Sequence, residues 1–183
     1  MINKKEIRQI QISKLQNLPA DERITQATQI FANFKNTKNF QQAKNIAMFW
    51  STELELPTHE FINEIKTHKH VYLPVVAPQH QLIFRKFVSE ATMQTNRGID
   101  EPTPDSPTIS PNDLDLIVVP GLIFSRTKYR IGFGGGYYDR FLAKYDNFST
   151  ALSFKEQFVS DPTWEIDSFD RPVKQLITPN AIY

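Results

Sequence analysis

Apolar residues in this chain fall into short blocks set between polar stretches, and the blocks alternate between helical and strand patterns. Residues 3–17, rich in Lys, Arg and Gln, predict a helix on which Lys4 and Arg8 share one face. A second helix is predicted after Pro19-Ala20-Asp21, with Ile24, Ala27, Phe31 and Phe34 on one apolar stripe. Ile46-Ala47-Met48-Phe49-Trp50 reads as a buried strand. Beyond Leu54-Glu55-Leu56-Pro57, Thr58 is placed to cap a helix running to about Lys66. Val71 to Val76 predicts a second strand, which Pro74 should end early or place near an edge. Leu82 to Val88 predicts a third. Residues 100–113 carry Pro102, Pro104, Pro107 and Pro111 among Asp, Ser, Thr and Asn, the pattern of a surface loop without a regular element. Leu114 to Val119, Ser149 to Phe154 and Leu176 to Thr178 complete the strand candidates. Tyr138, Phe141, Leu142 and Tyr145 give the last helix a core face. Helices alternating with short apolar strands predict an α/β fold, a mostly parallel sheet covered by helices on both faces in a Rossmann-like three-layer arrangement. The length of 183 residues suits a single domain, 1–183.

Composition narrows the function. Apolar residues make up 40% of the chain and fourteen are Phe, enough to fill a core. The net charge of +1 gives no global signal for nucleic acid. With no cysteine, disulfides, thiolate metal sites and a cysteine nucleophile are excluded. Met1 to Leu18 is polar and lacks the apolar segment of a signal peptide, and no apolar run is long enough to span a membrane. The expectation is a cytoplasmic monomer that acts on small molecules, without nucleic acid or membrane partners.

Glycine is distributed unevenly. Four of the six glycines lie in Arg130-Ile131-Gly132-Phe133-Gly134-Gly135-Gly136-Tyr137-Tyr138-Asp139-Arg140, and none occurs in the first 97 residues. An apolar run precedes this segment and a helical pattern follows it, a layout suited to holding phosphate on backbone N–H groups. Gly132 and Gly134 match the start of a dinucleotide fingerprint, but Tyr137 stands at its third glycine and the strand ends a dozen residues too early; no Gly-Lys-Ser/Thr follows for a P-loop. Two readings of Asp139 stand side by side. It is an ordinary carboxylate at a helix N-terminus, or it is a magnesium ligand beside bound phosphate. His68 and His70 alternate along a predicted strand, but two histidines alone do not make a zinc site.

Val119-Pro120-Gly121-Leu122-Ile123-Phe124, followed by the segment Arg130 to Arg140, resembles the signature of the 5-formyltetrahydrofolate cyclo-ligase family. Lys4-Lys5-Glu6-Ile7-Arg8, Glu55-Leu56-Pro57-Thr58, Gly98-Ile99-Asp100-Glu101-Pro102, Phe154-Lys155-Glu156-Gln157 and the stretch from Asp170 to Thr178 are similar to other parts of that family, in order and spacing. The resemblance implies an enzyme that converts 5-formyltetrahydrofolate and ATP to 5,10-methenyltetrahydrofolate, ADP and phosphate with Mg²⁺. It implies ATP contacts from Lys4, Lys5, Arg8, Arg130, Gly132, Gly134, Gly135, Gly136, Tyr137 and Tyr138. It also implies substrate contacts from Trp50, Glu55, Phe133, Gly134, Gly135, Gly136 and Tyr137, catalytic roles for Arg130 and Tyr137, and Asp139 and Asp170 as magnesium ligands. The residues alone also allow Asp170 to pair with the adjacent Arg171. A related enzyme acting on another N-formyl compound, and a non-catalytic nucleotide- or folate-binding protein, are the competing readings.

Overall fold

The computed structural model describes residues 3–96 and 98–183. Three helices come first: α1 (Lys4–Gln16), α2 (Ala20–Lys35) and α3 (Lys38–Gln42). They are followed by β1 (Asn45–Ala47), α4 (His59–Ile65), β2 (His70–Ala77) and β3 (Gln81–Lys86). A hairpin of β4 (Met93–Asn96) and β5 (Ile99–Pro102) leads to β6 (Thr108–Ile109) and β7 (Leu116–Val118). The chain continues through β8 (Ile123–Ser125), β9 (Arg130–Ile131), α5 (Tyr137–Leu142), β10 (Phe148–Leu152), β11 (Phe158–Val159) and β12 (Gln175–Ile177).

Seven strands form the central sheet in the order β12-β10-β7-β1-β2-β3-β6. The five from β12 to β2 are parallel, while β3 runs antiparallel to β2 and β6 antiparallel to β3. The parallel strands are short and apolar because both their faces are covered. Ile46, Met48, Leu116 and Val118 join one core with α1 to α4, where Leu15, Ile30, Phe34 and Ile62 are fully buried. Ala47, Ile117, Val119 and Ala151 face the other side, against Tyr138, Phe141, Leu142 and Tyr145. The predicted core face of the last helix and the three-layer α/β fold are therefore both present. From β1 the chain steps to β2 on one side, then returns to β7 on the other, so the strand order reverses between β1 and β7. In such sheets the usual ligand position is the crevice outside the carboxyl ends of the strands at this reversal.

Several local expectations are corrected. On α2 the buried line runs through Ala27, Ile30 and Phe34. Carried back one turn it reaches Arg23, not Ile24, which is 63% exposed. Pro74 lies inside β2, a strand paired on both sides. Tyr72 turns its carbonyl toward Met48 beyond β1, so by alternation the missing N–H of Pro74 points the same way, past the last β1 pairing. Thr58 starts α4 without a side-chain cap. Its hydroxyl instead donates to the Phe49 carbonyl at 2.8 Å and accepts from the Ser51 N–H at 3.1 Å. The proline-rich stretch 100–113 is not structureless. It completes β5 and supplies β6 to the edge of β3, because its prolines fall at or beyond strand ends where no ladder donor is needed. The β8–β9 hairpin separates β7 from the glycine segment, so that segment leaves β9 rather than the central sheet. His70 opens β2 but His68 precedes it, so the two do not form a strand pair. Among the described residues no helix is long and apolar enough to cross a membrane.

Candidate active site

The glycine segment runs from β9 to the start of α5 and is held from both sides. Arg8 on α1 donates from Nε to the Gly132 carbonyl at 2.9 Å, and Arg140 donates to the Gly135 carbonyl at 3.1 Å. Gly134 has φ +105°, a conformation that L side chains rarely adopt, and its open side faces the Arg8 guanidinium. At Gly135 the limit is space: a Cβ would lie 2.6 Å from the Tyr137 ring. Tyr137 packs in turn beside His80, with ring centroids 5.2 Å apart. Burial pushes the Tyr138 phenol upward, with a further contribution from the Glu55 carboxylate.

Charge is concentrated behind this loop. Arg130 on β9 is buried; its Nη1 donates to the Arg171 carbonyl at 2.8 Å and its Nη2 to Asp139 Oδ1 at 3.0 Å. The Arg171 N–H reaches the same Asp139 oxygen at 3.2 Å. Burial lowers the Arg130 pKa and the Asp139 carboxylate opposes that shift. Asp170 does not pair with the Arg171 guanidinium, which donates to backbone carbonyls. Its carboxylate accepts from Lys4 Nζ at 2.7 Å and from the Asp167 N–H at 2.9 Å. Lys4 also holds Asp167, at 2.5 Å. Burial opposes its charge, but the two carboxylates prevail and raise its pKa. One connected network thus joins α1, the glycine segment, α5 and the stretch 167–171. Among the described residues no group of three or more His, Asp or Glu side chains could hold a metal alone. Two carboxylates, Asp139 and Asp170, on segments joined through Arg171 nevertheless fit magnesium, which takes one or two carboxylates and fills its remaining positions with phosphate oxygens and water.

Across the crevice the chain leaving β1 forms a tight loop, residues 51–55. The Thr52 N–H and hydroxyl both donate to Glu55 Oε2 at 2.9 Å, and the Glu55 N–H returns to the Thr52 carbonyl at 3.1 Å. Burial raises the Glu55 carboxyl above its ordinary value, and the two bonds from Thr52 oppose that. Oε1 has no hydrogen-bond partner among the described residues and is free to accept one. A cleft of about 590 Å³ is lined by Thr52, Glu53 and Leu54 of this loop, by Gln16 and Arg23, and by the half-exposed Phe133 of the glycine segment. Trp50 faces a second cleft of about 340 Å³, shared with His59 and the β4–β5 hairpin. Its ring stacks on His59 at 3.8 Å and 13°.

Lys4, Arg8, Arg130, Asp139, Asp170 and the segment Gly132 to Tyr138 therefore meet in one place, with Phe133 reaching toward the Glu55 loop. Lys5 is exposed on α1 and makes no side-chain hydrogen bond or ion pair among the described residues. Trp50 stands apart, in its own cleft. Sequence reasoning missed Asp167, His59 and Arg23. The Asp-x-x-Asp spacing of 167 and 170 hinted at the first, while nothing local marks the other two.

Fold and site together define an α/β domain with a crevice at a strand-order reversal, in which a glycine segment backed by cations and carboxylates faces a carboxylate loop. The chain belongs to the 5-formyltetrahydrofolate cyclo-ligase family, whose profile matches residues 1–179. The resemblance read from short motifs thus holds over the chain. It is 34% identical to the 5-formyltetrahydrofolate cyclo-ligase of Haemophilus influenzae, covering 90% of this chain and 92% of that one. With the enzyme of that name from Mus musculus it shares 30% identity, over 90% and 87%. The solved structure of Aquifex aeolicus 5,10-methenyltetrahydrofolate synthetase superposes with a TM-score of 0.87 at 28% identity, covering 98% of this chain and 91% of that one. A synthetase of the same name from Mycoplasma pneumoniae shares the fold, with a TM-score of 0.76 at 21% identity over 97% and 99%.

Proposed function

We propose that this protein is an ATP- and Mg²⁺-dependent cyclo-ligase that converts 5-formyltetrahydrofolate to 5,10-methenyltetrahydrofolate, working as one cytoplasmic domain. The observation that carries the reading is family membership along residues 1–179, together with a cleft shared by Phe133 of the glycine segment and the Glu55 loop. That cleft lets a nucleotide on the glycines and a pterin at Glu55 bring their reacting ends together.

The formyl oxygen is a poor leaving group until it is phosphorylated. In the proposed reaction it attacks the γ-phosphorus of ATP, an O–P bond forms, and the bridge to the β-phosphate breaks to release ADP. N10 of the folate then attacks the formyl carbon; the new C–N bond forms, the C–O bond breaks, and phosphate leaves with the N10 proton. Such a transfer depends on positioning and charge neutralisation more than on a protein nucleophile. The N–H groups of Gly132 to Gly136 line the phosphates, and Lys4, Lys5 and Arg8 supply positive charge from α1. Asp139 and Asp170 would hold the magnesium ion, which would supply neutralising charge to phosphate oxygens. Lys4, which lies against Asp170 in this structure, would supply its positive charge beside that site. Arg130 is spent on Arg171 and Asp139, so it serves by fixing Asp139 rather than by reaching the nucleotide. Tyr137 and Phe133 flank the folate, Glu55 Oε1 accepts from the N–H groups of its aminopyrimidine edge, and Trp50 offers an apolar ring beyond it.

The test is to mix the protein with ATP, Mg²⁺ and 5-formyltetrahydrofolate and follow the methenyl chromophore. Product formation that requires all three supports the proposal. Nucleotide binding without methenyl product overturns it.

A further inference from the structure

Arg23 lies on the line of α2 that otherwise packs into the core, in a first-turn position where an apolar residue would ordinarily sit. Its Nη1 donates to the carbonyls of Leu54 and Glu55, each at 3.3 Å, and its Nη2 to the carbonyl of Leu15 at the end of α1. The guanidinium also lies over the ring of the fully buried Phe154, 5.4 Å from its centroid. Among the described residues it makes no ion pair. Burial works against its charge, which the Glu156 carboxylate supports without pairing with it, and its planar fork suits two successive carbonyls as a lysine would not. The carbonyls it holds belong to the residue that presents the Glu55 carboxylate and to the residue before it. Among the described residues, every other hydrogen bond of residues 51–55 is internal to the stretch 49–59: Thr52 with Glu55, and Ser51 with Thr58 and His59. Arg23 is what ties this loop to the α1–α2 corner.

We propose that Arg23 is the positioning residue of the folate-binding loop: by clamping the Leu54 and Glu55 carbonyls it sets where the Glu55 carboxylate stands, and thereby the affinity for the pterin. The inference rests on the reading of Glu55 as the pterin's partner. Arg23 lines the cleft that Phe133 also borders, but it makes no hydrogen bond or ion pair to the glycine segment or to the carboxylates behind it among the described residues, so the nucleotide side should change little.

A double-mutant cycle on the intact protein separates this from a merely structural role. Arg23→Met keeps a stem over Phe154 and removes all donors. Binding of 5-formyltetrahydrofolate should weaken about fivefold or more, the loss of hydrogen bonds from a charged donor. Binding of ATP should change by less than about twofold. In a Glu55→Gln background the same change should cost much less, because the carboxylate it positions is gone. Arg23→Lys, which keeps charge without the fork, should recover part of the loss, and it runs the same cycle if Arg23→Met does not fold. Equal weakening of ATP and folate, or full additivity with Glu55→Gln, overturns the proposal. If Glu55→Gln alone leaves folate binding unchanged, the assignment of Glu55 falls and this inference with it. If Glu55→Gln weakens binding but Arg23→Met does not, only this inference falls.

Discussion

The two sides of the crevice are built differently. On the proposed nucleotide side, a glycine-rich run supplies the surface, and long-range contacts of charged side chains support it: Arg8 to the Gly132 carbonyl, Lys4 to Asp167 and Asp170, Arg130 to Asp139. On the proposed pterin side, a five-residue loop folds on its own hydrogen bonds around one carboxylate, and α2 anchors it through Arg23. Phosphate carries its charge on many oxygens and needs many weak donors and several cations. A pterin edge needs one acceptor held in one place. The nucleotide side should therefore respond to charge changes across the whole network, while the pterin side should depend on a single group.

The largest expected effect is on the nucleotide side. Asp139→Ala removes a proposed metal ligand and, among the described residues, the only carboxylate bonded to the buried Arg130. It should cost about 3 kcal/mol of stability, as expected when a buried charge loses its partner, and turnover should fall by about 100-fold or more. Asp139→Asn retains an acceptor for Arg130, so it should keep most of the stability and still lose turnover; calorimetry and the methenyl assay read the two apart. Wild-type turnover in Asp139→Asn would remove the metal from this account.

A smaller effect is expected across the crevice. Glu55→Gln should raise the KM for folate by about tenfold, through loss of charge-assisted hydrogen bonds, with the KM for ATP little changed. Burial raises the Glu55 pKa, so its proton returns at a higher pH than an exposed carboxylate's. Folate affinity in the parent protein should fall as the pH drops through that raised pKa, and Glu55→Gln should lack this loss. Stability moves the other way. A raised folded-state pKa means the folded protein binds the proton more tightly, so the contribution of Glu55 to stability grows on acidification and is lost as pH rises through the folded pKa. Matching pH profiles in parent and variant would contradict the single-carboxylate design.

The same contrast explains how much could be read from the sequence. The nucleotide side was legible because Gly132 to Gly136 are contiguous and unusual in a chain with almost no other glycine. The α/β layering was legible because short apolar runs such as Leu116 to Val119 alternate with helical stripes. The phase of α2 was misjudged because Ile24 is apolar while the inward position belongs to Arg23, whose role is set by carbonyls far along the chain. Strands β5 and β6 were hidden by prolines that fall where no donor is needed, and only the register shows that. The link from Lys4 to Asp170 crosses nearly the whole chain, and no local pattern encodes it.

The central claim is that the glycine side delivers phosphate to the formyl oxygen held on the Glu55 side. It is tested most directly with 5-formyltetrahydrofolate carrying heavy oxygen in the formyl group. After one turnover with ordinary ATP in ordinary water, the released phosphate should contain the heavy oxygen, because the formyl C–O bond breaks with that oxygen already on phosphorus. Methenyl product accompanied by unlabelled phosphate would contradict the account.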